Sequence, residues 1–192
     1  MKVGIYGGSF NPIHNKHVNV INELLDEYLD KIIIVPAGDK YTKRDLIEAR
    51  HRINMIELAI KPDKRKIIDD YECTDERRYT FETLAHMKKL YPDEEIYFIL
   101  GLDNLDELDT WREYEYMLKN YKFLVIKREG YDFDEVMKKY EEYKDNIILT
   151  DLPMDNVSST YIRNNIDKKD KITKIIDEKV YEYIKENDLY IK

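Results

Sequence analysis

Cysteine is nearly absent from this chain. Cys73 is the only one, so no internal disulfide can form, and a reducing compartment fits that usage. Nothing around Cys73 has the context of a catalytic thiol, so it reads as a small, partly buried apolar residue. Long apolar runs are absent too: none approaches the roughly 18 residues that suggest a membrane-spanning helix. The first residues pass from Met1-Lys2 directly into Val3-Gly4-Ile5-Tyr6-Gly7-Gly8, with no apolar segment or cleavage site of an export signal. The expected location is cytoplasmic, with no membrane partner. There is no basic excess either. Thirty-two Lys and Arg face 40 Asp and Glu, for a net charge of −8, the opposite of a typical nucleic-acid binder. The cations Lys40, Lys43, Arg44, Arg50, His51 and Arg52 lie close together, which suits a small anionic ligand or a solvated helix face. Repeats, low-complexity tracts and linkers are missing as well.

What is present is a globular pattern. The chain has 192 residues, 43% hydrophobic and 38% charged, and is expected to form one domain over 1–192. Short, near-continuous apolar runs recur at Val3 to Tyr6, Ile32 to Val35, Ile96 to Leu100, Phe123 to Ile126 and Ile147 to Leu149, with a weaker one at Ile67-Ile68. Such runs fit strands buried on both faces. Between them, apolar residues fall on helical faces: Val18, Ile21, Leu24, Leu25 and Tyr28; Ile53, Ile56, Ala59 and Ile60; Leu84, Met87 and Tyr91. A last stripe joins Ile172, Ile175, Ile176, Val180 and Ile184, and Lys138 to Lys144 reads as a charged helix surface. The 17 tyrosines read as surface and boundary residues. This alternation predicts a doubly wound α/β fold with a mainly parallel sheet and C-terminal helices. Ligands bind such sheets beyond the carboxyl ends of strands, at the switch point of strand order.

The first strand leads into Gly7-Gly8-Ser9-Phe10-Asn11-Pro12-Ile13-His14-Asn15-Lys16-His17. The glycines allow positive φ and close approach of a ligand. Pro12 fixes its own φ and steers its neighbour away from helix. Asn15 is a candidate N-cap, so the loop ends at a helix start, where free N–H groups and a partial positive charge favour phosphate. His14 and His17 are three apart and can address one phosphate group. They lack the further ligands of a zinc site, so no protein metal site is expected. The loop is neither a Gly-x-Gly-x-x-Gly dinucleotide turn nor a Walker loop.

A second constellation, Val157-Ser158-Ser159-Thr160-Tyr161-Ile162-Arg163, follows the last strand. Ser158 or Ser159 can cap a helix, and Arg163, one turn on, suits a phosphate. Alone it reads equally as a cap with a surface arginine.

Together the two motifs resemble the adenylyltransferase branch of the class I nucleotidyltransferase superfamily, with its Gly-Gly-x-Phe-x-Pro-x-His-x-x-His loop and distal Ser-Ser-Thr-x-Ile-Arg. Tyr79-Thr80-Phe81-Glu82-Thr83-Leu84, Tyr97 to Leu105 with Gly101 and Asp103, Trp111, His51-Arg52 with Met55, and Tyr183-Ile184 with Leu189-Tyr190 resemble bacterial nicotinate-nucleotide adenylyltransferases. The resemblance implies a Rossmann-like nucleotidyltransferase fold and adenylyl transfer from ATP to nicotinate mononucleotide, in NAD biosynthesis. It implies catalytic roles for His14, His17, Lys43 and Arg163. ATP would be bound by Gly7, Gly8, Ser9, Phe10, His14, His17, Gly101, Asp103, Ser158, Ser159 and Arg163. The acceptor would meet Lys43, Thr80, Asp103, Trp111 and Arg128. Mg2+ would arrive with ATP, and the chain can form a homo-oligomer. The chain departs from the family pattern in four places. Asn11 stands where Asp is usual, and Lys16 where Gly is. Lys40-Tyr41-Thr42-Lys43 replaces Pro-Pro-His-Lys, and Leu102 replaces Ala. Rival readings are another acceptor, such as nicotinamide mononucleotide or phosphopantetheine, and a nucleotide-binding module without turnover.

Overall fold

The computed structural model describes residues 1–40, 45–152 and 157–191. Its strands are β1 (Lys2–Gly8), β2 (Lys31–Pro36), β3 (Lys66–Ile68), β4 (Glu95–Gly101), β5 (Lys122–Ile126) and β6 (Ile147–Leu149). They form one sheet in the order β3-β2-β1-β4-β5-β6, and every pairing is parallel. Chain order runs outward from β1 in one direction and then from β4 in the other. The reversal lies between β1 and β4, where Tyr6 is in register with Ile99.

Helices fill the crossovers, α1 (Asn15–Glu27), α2 (Ala49–Ala59), α3 (Thr80–Leu90), α4 (Leu102–Asp106), α5 (Tyr114–Asn120) and α6 (Phe133–Met137), and α7 (Ser159–Asn164), α8 (Lys169–Ile172) and α9 (Glu178–Glu186) follow β6. The side-chain alternation of the strands divides the core. Ile32 and Ile34 face one layer with Ile21 and Leu24 of α1, Met55 of α2 and Ile184 of α9. Ile33 and Val35 face the other layer with Leu84 of α3, Leu105 of α4 and Met117 of α5. Both faces are covered, as the continuous apolar runs predicted. Among the described residues no helix is long and apolar enough to cross a membrane.

Several local expectations change. The buried side of α2 is Ala49, Arg52, Met55 and Ile56; Ile53, Ala59 and Ile60 are only partly covered. A fully buried arginine inside the stripe turned the helix from its apolar reading. The last apolar stripe is not one helix: α8 ends at Ile172 and α9 begins at Glu178, capped by Asp177, whose side chain accepts the Lys179 N–H. Residues Glu141–Asn146 form 3-10 turns, and Tyr140 is buried, its hydroxyl accepting the Asp109 N–H at 3.0 Å. Tyr97, Tyr121 and Tyr181 are buried as well, so part of the tyrosine complement is core.

Candidate active site

A cleft of about 410 Å³ opens at the carboxyl ends of β1 and β4, at the reversal of strand order. Gly7, Gly8, Ser9, Phe10, His14 and His17 line one part of it, and Ser158, Ser159 and Arg163 close it from α7. Gly101, Thr80, Trp111 and Arg128 line the remainder. The two phosphate-suited motifs, about 150 residues apart in sequence, therefore share one cavity.

The loop has a different local logic from the expected one. β1 continues through Gly8, which pairs with Pro36, and the positive φ falls on Phe10 at 42°. Gly8 matters for space: a Cβ there would sit 3.0–3.3 Å from three atoms of the Phe10 ring. That ring is 2% exposed and packs edge-on against Tyr6 and His17, with centroids 5.5 and 5.1 Å away. The following Asn11-Pro12 peptide is cis.

The loop's carbonyls are held by other elements. Gly8 O accepts the Ala37 N–H at 2.9 Å, and Ser9 O accepts Arg52 Nη1 at 3.0 Å. Asn11 O accepts Arg163 Nη1 at 2.8 Å, and Pro12 O accepts Ser159 Oγ at 2.9 Å. Arg52 is the main staple. It is 0% exposed, and it also donates from Nε to Ile47 O and from Nη2 to Asp39 Oδ1. The same Asp39 oxygen accepts the Ala49 N–H at the start of α2. A buried guanidinium is tolerated because it meets acceptors on three sides.

The N-cap of α1 is His14, not Asn15. Asn15 is drawn into the first turn because its side chain donates to Lys174 O and its backbone N–H to Ile175 O. The His14 and His17 rings stack with centroids 3.7 Å apart. His14 N–H donates to His17 Nδ1 at 3.2 Å, so a neutral His17 ring carries its proton on Nε2. Lys16 lies between them, 8% exposed, in the wall of the cleft.

In the second motif the division of labour is resolved. Ser158 caps α7, accepting the Tyr161 N–H at 3.2 Å. The Ser159 hydroxyl is turned to the first loop, and the Arg163 fork bonds Asn11 O and Thr160 Oγ1. Both residues thus tie the motifs together in this state.

On the other wall, Thr80 opens α3 and Trp111 meets Phe98 edge-on at 6.2 Å. Arg112 lies over the Tyr79 and Phe81 rings at 5.1 and 5.8 Å. Arg128, in the cleft wall, donates from Nε to Asp103 Oδ1 at 3.1 Å. Gly101 permits this approach: a Cβ would fall 2.2 Å from Asp103 Oδ1 and 2.9 Å from Arg128 Nε. Leu102 is buried in the adjoining core, which accounts for a larger residue than alanine there. Glu72 also lines the cleft, and its carboxylate accepts the Thr83 hydroxyl at 2.6 Å. Burial pushes its pKa above the ordinary glutamate value, with the Thr83 bond opposing. Cys73 donates weakly to Pro36 O, and burial pushes its thiol up to about 11, which keeps it protonated near neutral pH.

Lys43 lies outside the described residues. Of the other expected site residues, all but Asp103 line the cleft directly. Arg52, Lys16, Glu72 and Asn104 had no assigned role from sequence. Arg52 stood there in the cation cluster and the His51-Arg52 pair, Lys16 as a departure from the family pattern and Asn104 within the Tyr97 to Leu105 match, while Glu72 left no trace. No group of three or more His, Cys, Asp or Glu suited to a metal ion occurs among the described residues.

Residues 5–165 match the Cytidylyltransferase-like family. The chain is 38% identical over 198 residues to the probable nicotinate-nucleotide adenylyltransferase of Clostridium acetobutylicum, covering 99% of each. It is 37% identical to the corresponding Clostridium tetani protein, covering 98% of each. Its fold matches Plasmodium falciparum nicotinic acid mononucleotide adenylyltransferase complexed with NaAD, with a TM-score of 0.86 and 27% identity over 98% of this chain and 97% of that one. Two motifs joined bond to bond, in a cleft at the switch point of a parallel sheet, thus agree with full-length relatives: the chain belongs to the Cytidylyltransferase-like family and, within it, to the nicotinate-nucleotide adenylyltransferases.

Proposed function

We propose that the protein transfers the adenylyl group of ATP to nicotinate mononucleotide, forming nicotinic acid adenine dinucleotide and pyrophosphate. The observation that carries this reading is the tie between the motifs: Arg163 to Asn11 O and Ser159 to Pro12 O, in a cleft that Thr80 and Trp111 also line. One cavity therefore offers a triphosphate end and an aromatic end.

The acceptor phosphate is an anion near neutral pH, so no strong general base is needed. Its oxygen attacks the α-phosphorus, a P–O bond forms, and the bond to the β-phosphate oxygen breaks as pyrophosphate leaves. The protein's work is alignment and charge neutralisation. Four loop carbonyls are held by other elements, which keeps their lone pairs engaged away from an incoming phosphate. His14 and His17 then serve as donors at the start of α1, with His17 acting through Nε2–H. Lys16, buried beside them, adds positive charge where glycine is usual in the family. Arg163 and Lys43 complete the neutralisation of the triphosphate. Trp111 stacks on the pyridine ring, Thr80 meets its carboxylate, and Arg128, steadied by Asp103, faces the acceptor phosphate. The metal is part of the Mg2+–ATP substrate, keeping most of its waters. The same reading places the protein in the cytoplasm, as one domain able to form a homo-oligomer.

The test is pyrophosphate release with Mg2+–ATP and, in parallel, nicotinate mononucleotide, nicotinamide mononucleotide or phosphopantetheine. Nicotinate mononucleotide should give the highest kcat/KM. A preference for either of the others would overturn the acceptor assignment.

A further inference from the structure

Asn11 has no place in the substrate contacts above, yet three distant segments converge on it. Its backbone carbonyl takes the Arg163 guanidinium at 2.8 Å. Its amide nitrogen donates to Asp45 O at 2.8 Å. Its amide oxygen accepts the Tyr190 hydroxyl at 2.8 Å, across 179 residues of sequence. The residue is 2% exposed, so these partners are not exchanged for water.

The side chain must donate on one side and accept on the other. The amide does both, whereas an ionised carboxylate of the same size only accepts. The carboxylate usual in the family would set an oxygen against Asp45 O and leave that carbonyl without its donor. Asp45 O, which can only accept, fixes which way the amide points, and the Tyr190 hydroxyl donates to the oxygen left on the other side. Tyr190 follows α9 in the left-handed region, with φ of 61°, and burial pushes its hydroxyl pKa far above the ordinary tyrosine value, so it remains a donor. Asp45, with φ of 62°, directly follows the segment 41–44 that contains Lys43.

We propose that Asn11 is a positioning residue: its amide, held between Asp45 O and the Tyr190 hydroxyl, fixes the loop whose Asn11 backbone carbonyl takes Arg163 of α7, and Tyr190 acts through that amide. This rests on the reading of the cleft as a triphosphate site. The reason it matters is geometric: a misplacement of about 1 Å can cost about 100-fold in rate. The departure from Asp is then matched to Tyr190 and Asp45 rather than a neutral change.

The test uses the full chain with N11A, N11D, Y190F and N11A/Y190F. Thermal melts establish that each is folded at the assay temperature, calorimetry gives the Kd for Mg2+–ATP, and turnover gives kcat and KM. N11A and N11D should each lower kcat/KM for ATP by about 10-fold or more and weaken ATP binding, with KM for the acceptor much less affected. Y190F should lower kcat/KM by about 3-fold, and should add little in the N11A background. A residue that only stabilises the fold would move the melting temperature and leave Kd and kcat near wild type; that result overturns the proposal. So does a Y190F effect that is undiminished on N11A. Should N11A or N11D not fold, Y190F decides alone: unchanged Kd and kcat would contradict it. Absence of turnover in the wild type, with ATP binding intact, would instead count against the proposed reaction.

Discussion

The two ends of the cleft are built by different means. At the nucleotide end, four loop carbonyls are bound by Ala37, Arg52, Ser159 and Arg163, and Asn11 is held on both sides of its amide. At the acceptor end one directional bond, Arg128 to Asp103, stands beside ring contacts: Trp111 rests on Phe98, and Arg112 covers Tyr79 and Phe81. Directional bonds fix atoms to within tenths of an ångström, whereas ring contacts tolerate sliding. On the proposed reading, the reaction's geometry belongs to the first end and the choice of acceptor to the second.

The comparison is most sharply broken by His17→Ala. If the nucleotide end carries the chemistry, kcat should fall by about 100- to 1000-fold with the melting temperature little changed. Near-normal kcat would remove His17 from its role. Arg52→Ala should come next, because it strips Ser9 O, Ile47 O and Asp39 of a buried donor. A loss of about 2–5 kcal/mol in urea unfolding is expected, with Arg52→Lys recovering only part of it. Trp111→Ala probes the other end. It should raise KM for nicotinate mononucleotide by about 10-fold and leave KM for ATP within about twofold, in line with the worth of one stacking contact. Equal effects on both substrates would show that the ends are not separable.

The smallest effect expected is at Glu72. Its folded-state pKa is raised by burial above that of the unfolded chain. Its contribution to stability is therefore full below the unfolded value, about 4.3, and is lost as pH rises through the folded pKa. Glu72→Gln keeps an acceptor for Thr83 and carries no charge. Melts should show it more stable than wild type at pH 8, with the difference shrinking toward pH 4. A difference independent of pH would contradict the assigned cause.

Much of this was legible in the sequence because it is local. Central parallel strands are continuous apolar runs, so β1, β2, β4 and β5 could be read directly, while β3, three partly buried residues at the sheet edge, gave only Ile67-Ile68 as a trace. The two phosphate motifs are likewise local patterns of glycine, proline, serine and histidine. What could not be read is what joins them. The staples span 43, 147 and 152 residues and depend on tertiary placement. For the same reason Arg52 looked like a surface cation, and Gly8 like a source of positive φ rather than room for the Phe10 ring. The bond between Asp103 and Arg128, 25 residues apart, could not be read for the same reason.

The most direct measurement follows the label. The protein is incubated with nicotinate mononucleotide and Mg2+–ATP carrying 32P at either the α- or the γ-position, and the products are separated. Transfer of the adenylyl group predicts α-label in a dinucleotide and γ-label in pyrophosphate, in equal amounts. Label from the γ-position in the acceptor, or α-label recovered only as AMP, would contradict it.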